Sequence, residues 1–458
     1  MASTFLRESV SANGNKKKWT ISVWVKRSGL GANTIMSAWY ADSTSGHMSF
    51  GFDSNDRLDL STWSTNVLTT NRKFRDTNAW YHIQLAVDTD ESTADYRARM
   101  YVNGVEETSF STRNNKSSGF EYSVNNSSST HNIGGNLYSG TTNLFNGSMS
   151  HFHFIDGQQY APTVFGSTDS TTGEWKINTA PTATYGTNGF FILKDGNSVT
   201  DQSGNSNNFT VGAGTLTKTE DCPSNVFATL NPLANANTSG LTLSNGNNTL
   251  VTPSGGHDFS ISTLGMPSGN GKFYCEVKVS SSANFNMIGI SDHMYQGSNQ
   301  ELSEDNYSYG YYSDSGGGST SGVVRGNGSN ILTGMPNYTT NDIIGIAIDL
   351  ENHKLYFSKN GTWINSGDPT SGSTGTGAVS INNLNTTPNT DARGQGAYFF
   401  GVSDWTTSSG GTYQCNFGNG YFGTTAVSSA GTNASNLGIF EYDVPTGFTA
   451  LSTKGLNE

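Results

Sequence analysis

Charge is scarce in this chain. Asp, Glu, Lys and Arg together make up 13% of its 458 residues, about half the usual share of ~25%. Apolar residues are also few, at 33%, and nowhere do eighteen run together, so no segment reads as a membrane-spanning helix. The first twenty residues lack the apolar stretch of a signal peptide. The formal net charge is −12 with no basic stripe, and Lys16-Lys17-Lys18 is the sole cationic run. Such a field repels phosphate backbones, so nucleic acid is not an expected partner. Only three cysteines occur, Cys222, Cys275 and Cys415, which cannot all pair. Cys275 alternates with Phe273 and Val277, and Cys415 with Tyr413 and Phe417, the pattern of buried thiols in a core. The expectation is a protein made in a reducing compartment, without an export signal and without membrane insertion. Helical periodicity is nearly absent.

In place of charge the chain holds 55 glycines and many Ser, Thr and Asn, together with 20 Tyr and 24 Phe. That aromatic content excludes a disordered polymer and points to strands joined by long polar loops. Alternation is clean at Trp19–Val25, where Trp19, Ile21, Val23 and Val25 share one face. It recurs at Tyr81–Asp88 with Tyr81, Ile83, Leu85 and Val87. Tyr101-Val102-Asn103-Gly104 ends one strand in an Asn-Gly hairpin turn, and Met149–Ile155 is another strand. In Asn341–Gly361, Ile344, Ile346, Ile348 and Leu350 share a face, Glu351–His353 turns the chain, and Leu355–Phe357 returns it. Asn360-Gly361 supplies the next tight turn. The fold class expected is all-β: two antiparallel β-sandwich domains in tandem. The boundaries are 1–217, 218–424 and a C-terminal tail at 425–458, with K-T-E-D-C-P-S-N breaking the strand periodicity between the domains.

K-W-T-I-S-V-W-V-K-R at Lys18–Arg27, W-Y-H-I-Q-L-A-V-D at Trp80–Asp88 and Y-V-N-G-V at Tyr101–Val105 resemble LamG or concanavalin A-like lectin modules of jelly-roll topology. F-N-G-S-M-S-H-F-H-F-I-D-G-Q, Y-G-T-N-G-F and D-Q-S-G-N-S-N-N-F follow, at Phe145–Gln158, Tyr185–Phe190 and Asp201–Phe209. In this order they resemble bacteriophage virion structural proteins. From Phe227 onward G-K-F-Y-C-E-V-K-V, M-I-G-I-S, Y-S-Y-G-Y-Y, the Asn341–Gly361 hairpin, A-Y-F-F-G-V-S and C-N-F-G resemble the SPRY family. SPRY modules are β-sandwiches that bind partners through loops and catalyse nothing. F-E-Y-D-V-P-T-G-F-T-A-L-S-T near the end resembles the peptide that follows SPRY modules in such phage proteins.

Few constellations suggest chemistry. Sandwich glucanases carry Glu-x-Asp-x-x-Glu on one strand, because two carboxylates must flank the glycosidic bond. Here Asp88 and Asp90 come nearest, and Thr93 occupies the third position, so no enzyme is expected and the catalytic residues are none. His151 and His153 lie two apart on a strand but lack a third ligand, which favours a polar pair over zinc. Asp201, Ser203, Asn205 and Asn207 alternate like the first oxygens of a calcium loop. Gly212 stands where the bidentate carboxylate belongs, so an Asx-rich turn is the leading reading and calcium the secondary one. Sugar recognition stacks aromatic rings on pyranose faces. The candidates are Trp39, Tyr40 and Trp63 in the first domain, and Tyr311, Tyr312, Trp363 and Trp405 in the second. Together these features imply a non-enzymatic phage virion protein on the capsid or tail surface, assembled in the host cytoplasm and present in many copies or as a homo-oligomer. Its partners would be host-surface glycans and other virion proteins. The alternatives are a purely structural capsid or tail component, or a polysaccharide hydrolase.

Overall fold

The computed structural model describes residues 4–457 except 138–141, 195, 197, 237–239, 294–300, 315–321, 391–392 and 407–409. Of the Gly/Ser-rich segment Ser313–Gly328, which reads as a loop, residues 315–321 lie outside the described residues, whereas Ser313 and Asp314 end one strand and Val323–Gly326 form another. The chain divides into two compact units. One is Met1–Lys218 with Cys222–Ser224; the other is Thr219–Asp221 with Asn225–Glu458. Both are built from antiparallel sheets, as the alternation predicts.

In the first unit one sheet runs in the order Phe110–Arg113, Thr65–Lys73, Arg57–Thr62, His47–Phe52, Asn33–Trp39, Thr130–Ile133, Phe5–Ser9, Thr210–Ala213. The facing sheet runs Phe190–Ile192, Gly147–Asp156, Lys18–Arg27, Trp80–Asp88, Ala98–Val102, Val105–Glu106. Between them Trp19, Ile21, Val23, Val25, Ile83, Leu85 and Val87 meet Ile35, Phe50, Leu58 and Leu60 in one core. The opposite face of the Lys18–Arg27 strand is buried as well, because segment 157–190 is laid across it. Thr20 Oγ1 donates to the Gln158 carbonyl (2.8 Å) and accepts from the Tyr160 amide (3.0 Å), and Gln84 Nε2 donates to the Tyr160 carbonyl (2.7 Å). A face that alternation marks as polar is thereby buried, with Thr20 and the Gln84 amide NH₂ given hydrogen-bond partners by the covering segment.

The second unit pairs two comparable sheets. The first runs Leu230–Ala236, Gly256–Ser262, Gly394–Thr406, Phe285–His293, Ser308–Asp314, Val323–Gly326, Ser329–Leu332. The second runs Thr242–Ser244, Thr249–Val251, Thr412–Asn416, Lys272–Ser281, Ile343–Asp349, Lys354–Lys359, Thr362–Trp363. Ile344, Ile346, Ile348 and Leu350 enter the core between them, with Cys275 and Cys415 as buried free thiols. Both Asn-Gly turns have the positive-φ pair that their sequence demands: Asn103 at 50° and Gly104 at 79°, Asn360 at 49° and Gly361 at 79°.

The expected separate tail at 425–458 is corrected by the structure. Thr449–Ala450 adds a parallel strand beside Phe273 and Tyr274, and Phe440, Val444, Phe448 and Ala450 are buried against Tyr274 and Tyr356. The physical reason is the second face of the Lys272–Ser281 strand. Tyr274 and Glu276 point away from the main core, and the tail covers them. The buried Glu276 carboxylate accepts the Glu441 and Tyr442 amides (both 2.9 Å) and the Tyr274 hydroxyl (3.1 Å).

Candidate functional site

Two neighbouring strands of the first unit's larger sheet, and the turn that follows a third, put aromatic rings in one row on the face turned away from the core. Ala38, Met48 and Phe50 point inward, so Trp39 and His47, which are cross-strand partners, point outward. Trp63 follows Thr62, the partner of Met48, and meets His47 edge to face with centroids 6.4 Å apart. Trp39, Tyr40 and Trp63 are each half-buried. Polar groups border the row: Trp39 Nε1 donates to Asp42 (3.1 Å), and His47 Nε2 lies 2.9 Å from Asn136 Oδ1. His47 is itself buried, 5% exposed, and burial holds its pKa below its ordinary value, so it lies beneath the row as a neutral support for Trp63 rather than as a ring offered to a ligand. Segment 134–137 walls one side, where Ser37 Oγ donates to the Gly135 carbonyl (2.8 Å) and accepts from the Leu137 amide (3.2 Å). The result is a platform with the Trp39 and Trp63 rings at its centre and amide and carboxylate oxygens at its rim, which can stack and hydrogen-bond.

The other predicted aromatics are placed differently. Tyr311 is a correction: it is fully buried, edge-on to Tyr338 at 4.9 Å, and its hydroxyl donates to the Pro336 carbonyl. Tyr312 is likewise 5% exposed, stacked on Phe285. Neither ring offers a face to a sugar, because consecutive strand residues point to opposite sides and here both sides are covered. Trp405 is half-buried, but its register partners His257 and Phe285 flank it on both sides at 5.9 and 4.4 Å. Trp363 meets Tyr274 and Tyr356 edge-on, both at 6.4 Å, and packs beside the tail.

Asp201, Ser203, Asn205 and Asn207 form a hydrogen-bonded turn. The Asp201 carboxylate accepts the Phe191, Ser203 and Asn207 amides and the Ser203 hydroxyl, at 2.8–3.0 Å. Asn205 and Asn207 aim their NH₂ groups at the Gly189 carbonyl (2.8 and 2.9 Å). Four donors occupy the carboxylate's four lone-pair positions, which is the Asx-turn arrangement. His151 adopts φ 49° at an irregularity in its strand, and both His151 and His153 lie against Phe191, at 5.8 and 3.9 Å. Asp88 is held by Lys18 at 2.6 Å.

Sequence reasoning missed two groups. His47 belongs to the platform, and the signal was its place at the head of the alternating His47–Phe52 strand. The second is a buried Ser22–His82 pair, 2.8 Å apart, whose other ring nitrogen accepts from Trp175 Nε1 at 3.0 Å. A base that relays protons needs an acceptor behind it. Here a donor stands there, and burial lowers the His82 pKa to about 3, so the pair is structural.

Residues 8–164 match the family profile of the concanavalin A-like lectin/glucanases superfamily, and residues 272–372 match that of the SPRY domain. Among curated proteins none matches the chain. Among solved structures, the SPRY domain of human HERC1 is 18% identical, with 41% of this chain and 96% of that one covered and a TM-score of 0.29. A heptameric SAP-like pentraxin from Limulus polyphemus is 15% identical, with 42% and 89% covered and a TM-score of 0.29. Domain 4 of AbnA, an extracellular arabinanase from Geobacillus stearothermophilus, is 20% identical, with 32% and 64% covered and a TM-score of 0.23. The chain carries a concanavalin A-like domain followed by a SPRY domain.

Proposed function

We propose that this is a non-enzymatic bacteriophage surface protein that binds host-surface glycans through Trp39 and Trp63 of its first domain, with buried His47 supporting them. The observation that carries the reading is the outward placement of half-buried Trp39, at the end of one strand, and Trp63, in the turn after another, over buried His47 and bordered by Asp42 and Asn136. Rings on a rigid sheet bury a pyranose face at small entropic cost, and neighbouring oxygens orient its hydroxyls. The virion assignment draws on the phage-like order of the segments at Phe145–Gln158, Tyr185–Phe190 and Asp201–Phe209. The non-enzymatic assignment draws on Asp88 being tied to Lys18 and His82 lacking an acceptor behind it.

One shallow sugar site contributes roughly 4–6 kcal/mol, a millimolar to high-micromolar affinity. Adhesion therefore needs many copies acting together. The protein is acidic, so binding rests on stacking and neutral hydrogen bonds and should change little with ionic strength. The test is a glycan microarray probed with the protein displayed on beads. Trp63→Ala and Trp39→Ala should each abolish the signal while thermal unfolding stays within a few degrees. If wild-type beads ignore every glycan and host cells, while particles lacking the protein fall apart, the role is docking between virion proteins instead.

A further inference from the structure

The outward face of the second unit's first sheet carries a group of side chains that glycan binding does not use. Segment 301–306 crosses this face and is seated by Leu302, which is fully buried beside Phe259, Met287 and Tyr312. Leu302 packs over two strand glycines: a Cβ on Gly401 would stand 3.3 Å from Leu302 Cδ2, and one on Gly310 3.5 Å from its Cβ. The Ser303 amide donates to Ser308 Oγ (2.7 Å) and the Gly328 amide to the Ser303 carbonyl (2.7 Å). So fixed, the segment aims Glu301 and Glu304 at His257 on the neighbouring Gly256–Ser262 strand. Donor atoms of the three side chains all lie within 4.8 Å of one another.

We propose that His257, Glu301 and Glu304 bind a divalent transition-metal ion, zinc foremost, which clamps segment 301–306 to the sheet. Glu301 is only 8% exposed, with one oxygen 3.5 Å from His257 Nδ1 and the other 3.5 Å from Arg325. That split is what a metal carboxylate requires: one oxygen for the ion, the other oriented by a hydrogen-bond donor. His257 Nδ1 is buried and has no hydrogen-bond partner among the described residues. Beside it, Glu304 repels Glu301, a penalty that a cation between them removes.

The donor set selects the ion. One imidazole nitrogen and two carboxylates suit zinc, cobalt or nickel, whereas calcium wants six to eight oxygens, about three times what two monodentate carboxylates offer. Tetrahedral donors on ~2.0–2.1 Å bonds stand ~3.4 Å apart. Closure from a 4.8 Å spread therefore needs at most about 1.4 Å of travel, available to the exposed Glu304 side chain. Three protein ligands leave a position for water.

The test uses the full chain stripped with EDTA and titrated with zinc chloride in a calorimeter. One zinc per chain should bind, and it should raise the unfolding temperature of the second unit. Glu304→Gln and His257→Gln should each weaken binding by at least ~10-fold, and millimolar calcium should not compete. His257 stacks on Trp405, so if His257→Gln misfolds, the exposed Glu304→Gln variant decides the question. No saturable zinc binding, equal binding by wild type and Glu304→Gln, or calcium competing at parity would overturn the assignment.

Discussion

Replacing Asp258 by Asn should stabilise the second domain in mildly alkaline solution and do nothing in acid. Asp258 and Asp404 are cross-strand partners in the first sheet of that domain, and both are fully buried. Asp404 Oδ2 accepts the Thr252 hydroxyl (2.5 Å), the Tyr413 hydroxyl (3.1 Å) and the Gly411 amide (3.3 Å). Neither oxygen of Asp258 meets a donor among the described residues. Burial first, and the Asp404 charge second, push the Asp258 pKa up to about 7, while burial pushes Asp404 up to about 6. The pair therefore shares protons where free carboxylates would be ionised.

The sign follows from proton counting. Between the ordinary carboxylate pKa and about 7 the folded pair holds protons that the unfolded chain has released. Its contribution to stability is therefore complete in acid and is lost as pH rises through that window. At about 1.4 kcal/mol per pH unit the loss for Asp258 approaches ~4 kcal/mol, and relaxation around a buried charge reduces it to about 2 kcal/mol. An Asn side chain carries no charge to bury and can donate to the Asp404 oxygen that faces it. At pH 8 the Asp258→Asn domain should melt roughly 4–8 °C above wild type, and at pH 4 the two should coincide. Differential scanning calorimetry of the second-domain transition measures this. Wild type and variant running parallel from pH 4 to pH 8 would refute the reasoning.

The first domain should respond in the opposite direction. Buried neutral His82 and His153, both with lowered pKa values, oppose protonation, so its stability should fall below pH ~6.5 by up to about 1.4 kcal/mol per unit per histidine, measurable as an acid shift of its unfolding transition. Gly361→Val should destabilise the second domain by about 1–3 kcal/mol in urea unfolding, because φ is 79° and the new Cβ would stand 2.6 Å from Tyr442. Gly104→Val should do the same in the first domain, where the new Cβ would run into the Trp175 ring; unchanged midpoints would contradict both. Glu276→Ala should cost about 2–4 kcal/mol by orphaning the Glu441 and Tyr442 amides, and limited proteolysis should then cut within 427–447 before any other site; a tail as resistant as wild type would contradict the pinning role of Glu276.

Alternation by itself determined the all-β class, the two cores and the inward residues Trp19, Ile21, Val23, Val25, Ile344, Ile346 and Ile348, because the period-two direction of side chains is a local property of extended backbone. Asn-Gly chemistry likewise located both tight turns without reference to anything distant. What covers the second face of each sheet was not legible. Segment 157–190 over Thr20 and Ser22, the tail over Tyr274 and Glu276, and Leu302 over Gly310 and Gly401 are contacts between residues far apart in the chain. Tyr311 and Tyr312 looked like ligand groups for that reason, since local pattern cannot show that both sides of their strand are roofed. The platform is the same lesson inverted. Trp39, His47 and Trp63 become neighbours only through the register of three strands, and register is set by the whole sheet's pairing rather than by any one segment.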